Sequence, residues 1–180
     1  MNWICWNVRG LGNRRTVREL EVVTRAQAAA MFLAETWSAE ARLRKLCNDL
    51  KFDHCWIGPS AGKPGCLAMF WMSSVRIEVV SSSPNHIDSI VGEASNEQWR
   101  FTGVYGFADS SKKHETWALL RDLHPRSPLP WLCAGDFNEI LWSHEKIGLS
   151  PRREALMLAF RNVVDECGLM DLGFVGDKFT

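Results

Sequence analysis

The sequence predicts an α+β fold in which sheet packs on sheet and helices lie outside. Two observations lead there. Four strand candidates follow one another between Cys66 and Tyr105 with short turns between them, a pattern of mainly antiparallel sheet rather than regular β-α-β alternation. Helical spacing of apolar residues is confined to the stretches before and after that run. A chain of 180 residues with 46% hydrophobic and 23% charged residues has the composition of a globular protein with a sizeable core. No repeat, low-complexity tract or linker divides it, so residues 1–180 read as one domain.

Taken in order, Trp3 to Val8 is a short apolar, aromatic strand that runs into the glycine-rich loop Arg9-Gly10-Leu11-Gly12-Asn13. Thr16 to Ala29 reads as a helix whose apolar stripe begins with Val17, Leu20 and Val23 and is weakened by Thr24. Ala30 to Thr36 is a second strand ending on a carboxylate, Glu35. Ser38 is placed as the cap of a helix in which Leu43, Leu46, Cys47 and Leu50 recur at helical spacing. Asp53 to Gly58 is a strand and Pro59 to Gly65 a loop. The four central strands are Cys66–Met72, Val75–Ser82, His86–Glu93 and Gln98–Tyr105. Lys113 to Leu123 is a helix, and Pro130 to Asp136 a strand. Ser150 is placed as a cap with Pro151 opening the last helix, whose face is Leu156, Phe160, Val163, Val164 and Cys167. Gly168 ends it, and Leu169 to Leu172 is expected to start another strand.

Composition narrows the function. Net charge is zero, with 21 basic and 21 acidic residues, so no global basic field marks a protein that coats nucleic acid. The first 25 residues lean positive, either as a phosphate-facing patch or as a solvated helix face. Nine tryptophans predict a large aromatic core. The six cysteines include no C-x-x-C pair and read as buried free thiols in a reducing, intracellular compartment, nucleus or cytoplasm not distinguished. No segment has the form of a signal peptide or a membrane span, and the five histidines show no metal-ligand spacing. His86 and Asp88 share a strand face, where cross-strand or turn hydrogen bonds are the expected use.

Chemistry concentrates at strand ends. Asn7, Glu35 and Asp136 each close an apolar strand, and Asn138 follows Asp136 by two residues, which puts both side chains on one side of an extended chain. Phosphodiester hydrolysis needs such a set. A carboxylate such as Glu35 suits a hard divalent ion. Asp136 suits the acceptor that orients and deprotonates water. The amides of Asn7 and Asn138 suit donors to the charge that develops on phosphoryl oxygens. Each residue alone also reads as an ordinary turn former, and Tyr105 as a core residue with a satisfied hydroxyl.

Four motifs together, Trp6-Asn7-Val8-Arg9-Gly10-Leu11, Phe32-Leu33-Ala34-Glu35-Thr36, Gly103-Val104-Tyr105-Gly106 and Gly135-Asp136-Phe137-Asn138, resemble the endonuclease/exonuclease/phosphatase superfamily, which includes pancreatic-type deoxyribonuclease. His86-Ile87-Asp88, Trp99-Arg100-Phe101-Thr102-Gly103, Pro130-Trp131-Leu132, Glu145-Lys146 and Asp171-Leu172-Gly173-Phe174 are similar to the endonuclease domain of plant LINE-type non-LTR retrotransposons. The resemblance implies a four-layer α/β-β/α sandwich and an enzyme that nicks DNA with Mg²⁺ (or Mn²⁺). It implies Glu35 as metal ligand, Asp136 for the nucleophilic water, Asn138 for the scissile phosphate, and Asn7 and Tyr105 as active-site residues. DNA is the implied partner, with no obligate protein partner and no membrane. The sequence departs from the family at Arg9, where some relatives carry an acid, and at Gly106-Phe107-Ala108, where an asparagine is common. It ends at Thr180 before a terminal Ser-Asp-His motif, so the expectation is a domain incomplete at its C-terminus, missing its last strands and weakly active or inactive. The alternatives are a retroelement remnant, a nucleic-acid-binding module, or a small-molecule phosphatase.

Overall fold

A computed structural model of the chain describes residues 2–24, 28–59, 67–93, 97–148 and 150–173. The fold is the mixed one the sequence predicts. Its elements are β1 (Asn2–Asn7), α1 (Arg14–Thr24), β2 (Ala28–Ala34), α2 (Glu40–Asp49), β3 (His54–Ile57), β4 (Leu67–Trp71), β5 (Ile77–Ser83), β6 (His86–Val91), β7 (Trp99–Tyr105), α3 (Lys113–Leu123), β8 (Trp131–Asp136) and α4 (Glu154–Glu166). They fall into two compact units. The first comprises residues 1–105 and 129–136, the second residues 106–128 and 137–180.

In the first unit the strands form two four-stranded sheets, ordered β1-β2-β4-β3 and β5-β6-β7-β8. Most pairs are antiparallel, as expected, but each sheet contains one parallel pair, β1 with β2 and β7 with β8. Strand β2 (AAAMFLA) is apolar throughout because both its faces are covered. Met31 and Leu33 join Leu20, Leu43, Leu46 and Phe70 in a core shared with α1 and α2. Phe32 and Ala34 face the other way, into the core between the sheets, with Met69, Ile87, Val91 and Phe101. There Phe32 lies against Gly103 so closely that a Cβ at 103 would overlap its ring. A side chain at this position would push the sheets apart.

In the second unit, Trp117 of α3 stacks on Phe160 of α4 with ring centroids 4.8 Å apart, and Phe137 meets Phe160 at 5.5 Å. Helix α3 has the predicted bounds. Gly168, at φ +62°, ends α4 with its N–H donating to the Asp165 carbonyl at 3.0 Å.

Several expectations are corrected. The first helix stops at Thr24, and the chain is in β2 by Ala28. Val23 faces solvent rather than continuing the stripe. Ser38 caps nothing: α2 starts after Ala39 without a side-chain cap, and Ser38 is buried. Pro151 does not open α4, which begins at Glu154 after Arg153 in extended conformation; the Ser150 carbonyl accepts from Lys146 Nζ at 2.7 Å. Residues 169–172 form no strand, and Met170 and Leu172 are exposed. The tryptophan core is smaller than predicted. Trp117 alone among the nine is fully buried, while Trp37, Trp56 and Trp142 are exposed; phenylalanine, leucine, methionine and alanine fill the interior. Of the described cysteines, Cys47 and Cys167 are buried but Cys5 is exposed. Cys66, the loop at 60–65 and the end of the Asp171–Phe174 motif lie outside the described residues.

Candidate active site

Parallel pairing builds the site. Two parallel strands end at the same edge of their sheet, so β1 delivers Asn7 opposite Ala34, the residue before Glu35. In the same way β7 and β8 deliver Tyr105 directly opposite Asp136. Period-2 alternation puts Tyr105 and Asp136 on the same face as Phe101, Leu132 and Ala134, which point between the sheets.

At that edge one amide joins two carboxylates. Asn7 Nδ2 donates to Glu35 Oε1 at 2.8 Å and to Asp136 Oδ2 at 2.7 Å. Its Oδ1 accepts from the Arg9 N–H at 3.1 Å, which fixes the orientation of the amide. Tyr105 Oη donates to the same Glu35 oxygen at 2.8 Å. Of the five residues singled out from sequence, four therefore form one hydrogen-bonded cluster within the first unit. Asn138 is in the second unit, where its Nδ2 donates to the Gly106 carbonyl at 2.8 Å.

The backbone at these positions is held in a conformation that costs energy. Arg9, Glu35, Trp37 and Asn138 have φ of 46°, 53°, 45° and 55°. A non-glycine residue there costs roughly 1–2 kcal/mol, least for asparagine. The loop after β1 repays part of this through Gly10 N–H to Glu35 O at 2.7 Å and Leu11 N–H to Thr36 O at 3.0 Å. Gly10 (φ +92°) lies under the indole of Trp37, where a Cβ would come within 2.7 Å of Cε3. Only glycine satisfies both constraints. On the other sheet, Asn85 in the β5–β6 turn clamps Tyr105: its side chain donates to Tyr105 O at 2.7 Å and its carbonyl accepts from Tyr105 N at 2.9 Å. Sequence reasoning did not single out Asn85 or Trp37; a Pro-Asn turn carries no sign of its distant partner.

The donor set is oxygen only, from two carboxylates. Among the described residues no group of three or more His, Cys, Asp or Glu side chains gathers. That fits a hard cation holding one or two protein carboxylates and several waters, and not a zinc-type cage.

Three of the sequence stretches resembling retroelement proteins meet elsewhere, on the opposite face of the β6-β7-β8 sheet. Arg100 Nε and Nη2 donate to Asp88 Oδ1 and Oδ2 at 2.8 and 3.0 Å. Thr102 Oγ1 donates to Asp88 Oδ1 at 2.6 Å and accepts from Trp131 Nε1 at 2.8 Å. Arg100 also lies over the Trp131 ring at 4.7 Å. The expected cross-strand use of Asp88 is the observed one, and His86 sits between Ser81 and Ser83.

The chain belongs to the Endonuclease/Exonuclease/phosphatase family, whose sequence model matches residues 4–178. No curated protein matches the sequence. Solved structures with the same fold include the endonuclease domain of TRAS1, a telomere-specific non-LTR retrotransposon, at 12% identity and TM-score 0.66 over 92% of this chain and 73% of that one. The AP endonuclease LMAP from Leishmania major matches at 14% identity and TM-score 0.63, over 92% of this chain and 65% of that one. The 3′ phosphatase NExo from Neisseria, bound to a product DNA hairpin, matches at 19% identity and TM-score 0.61, over 90% and 70%. Another fold relative, TDP2 from Caenorhabditis elegans, is spanned to 47% of its length. No helix among the described residues is long and apolar enough to cross a membrane.

Proposed function

We propose that the chain is a divalent-metal-dependent phosphodiesterase domain that nicks DNA, of the kind carried by LINE-type retrotransposons. The observation that carries this reading is the Asn7 amide joining Glu35 and Asp136 at strand ends from two sheets. Two carboxylates held this close, with an amide between them, suit one metal ligand and one general base.

In this reading Glu35 holds Mg²⁺ (Mn²⁺ also suits), and the bound ion supplies charge neutralisation at the scissile phosphate. Tyr105 and Asn7 donate to Glu35 and keep its carboxylate aimed. Asp136 accepts the proton of the attacking water through the oxygen pair that Asn7 orients. Asn138, by the family's pattern, supplies an amide donor to the phosphate, where a carboxylate would repel it. DNA as substrate is supported by the family's nucleases and by the retroelement-like motifs.

The test is relaxation of supercoiled plasmid by the full chain with millimolar Mg²⁺ or Mn²⁺. The expected result is weak, metal-dependent nicking, seen at high protein concentration and long incubation, that Glu35→Ala and Asp136→Ala each reduce by about a hundredfold or more. Nicking that persists in either variant, or none with any divalent ion, would overturn the reading.

A further inference from the structure

Beside Asn138 in the second unit lies an ion cluster of unusual composition. Lys113 Nζ is 3.4 Å from Glu139 Oε2, and Arg152 Nε is 2.8 Å from Glu139 Oε1. The Lys113 and Glu139 side chains are 1% and 0% exposed and that of Arg152 is 29% exposed. Lys113 is also the first residue of α3, where the helix dipole disfavours a cation. A buried ion pair rarely gains on an apolar pair of the same volume, and a buried lysine at a helix N-terminus is worse placed still. Stability therefore does not account for it.

The two cations converge on one atom. The main-chain carbonyl of Asn138 accepts from Lys113 Nζ and also from Arg152 Nη2 at 3.3 Å. Lys113 Nζ reaches the Phe107 carbonyl as well, at 3.4 Å, next to the Gly106 carbonyl that holds the Asn138 side chain. Asn138 itself is left-handed at φ 55°. Its backbone is thus gripped by two cations and its amide by the loop that one of them organises. Glu139, the following residue, is the counter-charge that lets two cations sit there, and the cluster retains one net positive charge.

We propose that Lys113 and Arg152, balanced by Glu139, are positioning residues that lock Asn138 and set the direction of its amide. The proposal rests on the phosphodiesterase reading for its catalytic meaning, but the locking can be observed without it. The informative variant is the pair Lys113→Met with Glu139→Leu, which replaces the two buried ions by apolar groups of similar size, while Arg152, 29% exposed, keeps access to solvent for its charge. In ¹⁵N-labelled full chain, the Asn138 side-chain amide signal is assigned by its loss in Asn138→Ala. In the pair variant it moves toward the position of a mobile amide, and its hydrogen exchange accelerates by about tenfold or more, while the melting temperature stays near wild type. In plasmid nicking the pair variant loses about tenfold to a hundredfold in kcat with little change in KM for DNA. An unmoved Asn138 signal, or wild-type kcat in the well-folded variant, overturns the proposal. If wild-type chain nicks nothing, the phosphodiesterase reading fails, and the amide signal still decides whether the cluster holds Asn138.

Discussion

Asn7→Asp is the sharpest perturbation of the candidate site, because it changes two atoms' chemistry and almost no volume. The native amide donates at 2.8 Å to Glu35 and at 2.7 Å to Asp136. An ionised carboxylate in its place turns both attractions into oxygen–oxygen repulsions and gathers three negative charges. Two hydrogen bonds to charged acceptors are lost, each worth about 1.5–3 kcal/mol when well buried; these residues are half-buried, so the lower figure applies. Each new repulsion is about 4 kcal/mol at ~4 Å with an effective dielectric constant near 20. The total has a ceiling, however. Protonating one carboxylate of ordinary pKa at about pH 7.5 costs roughly 5 kcal/mol, and the cluster takes up a proton rather than exceed that.

The expected destabilisation at about pH 7.5 is therefore roughly 3–5 kcal/mol, a fall in Tm of about 6–20 °C for a chain of this size. The sign of the pH effect follows. The extra carboxyl has a folded-state pKa above its unfolded value, so the penalty is absent at low pH and grows as pH rises. At about pH 5.5 the ceiling drops to near 2 kcal/mol and most of the deficit closes. Millimolar Mg²⁺ raises the Tm of the variant at neutral pH, because three carboxylates offer a hard cation more charge than two. Differential scanning calorimetry across pH checks this. A variant that melts with wild type at about pH 7.5, or whose deficit does not shrink on acidification, would refute the reasoning.

Two further outcomes concern the scaffold. Asp88→Asn removes the charge paired with the Arg100 guanidinium, 1% exposed, and chemical denaturation should show a loss of about 3–5 kcal/mol; Asp88→Leu with Arg100→Met should recover most of it, and failure of both to differ would sink the ion-pair account. The Asp53 carboxylate accepts from the Ser73 N–H at 2.6 Å, and this bond holds its pKa below the ordinary carboxylate value. Its contribution is complete above about pH 4 and disappears as pH falls through the depressed folded value; Asp53→Asn should melt below wild type at neutral pH by a margin that shrinks as acid protonates the wild-type carboxylate, and a margin undiminished in acid contradicts this.

Local chemistry wrote much of this molecule into the sequence. Strand β2 is apolar at every position because both its faces are covered, and a continuous apolar run is the signature of that burial. Helix α3 and the end of α4 at Gly168 were legible because helical spacing and a glycine stop are short-range signals. Asn7, Glu35 and Asp136 stood out because polar residues closing apolar strands are visible without knowing the strands' partners.

What the tertiary structure decided depends on residues far apart in the chain. Only parallel pairing of β1 with β2 and of β7 with β8 brings four strand ends to common edges, and no residue announces its partner strand. Glu35 is held left-handed by the loop after β1, against its intrinsic preference. Burial of Ser38 overrode its capping propensity, and the extended conformation of Arg153 overrode Ser150-Pro151 as a helix start, with Arg152 beside Glu139. The placement of Lys113, buried at a helix start that propensity would deny it, is intelligible only once Glu139 and the Asn138 carbonyl are seen beside it. The sequence named the candidate site groups, since their chemistry is their own; the fold decided which groups face one another, since hydrogen-bond partners and burial are properties of neighbours in space.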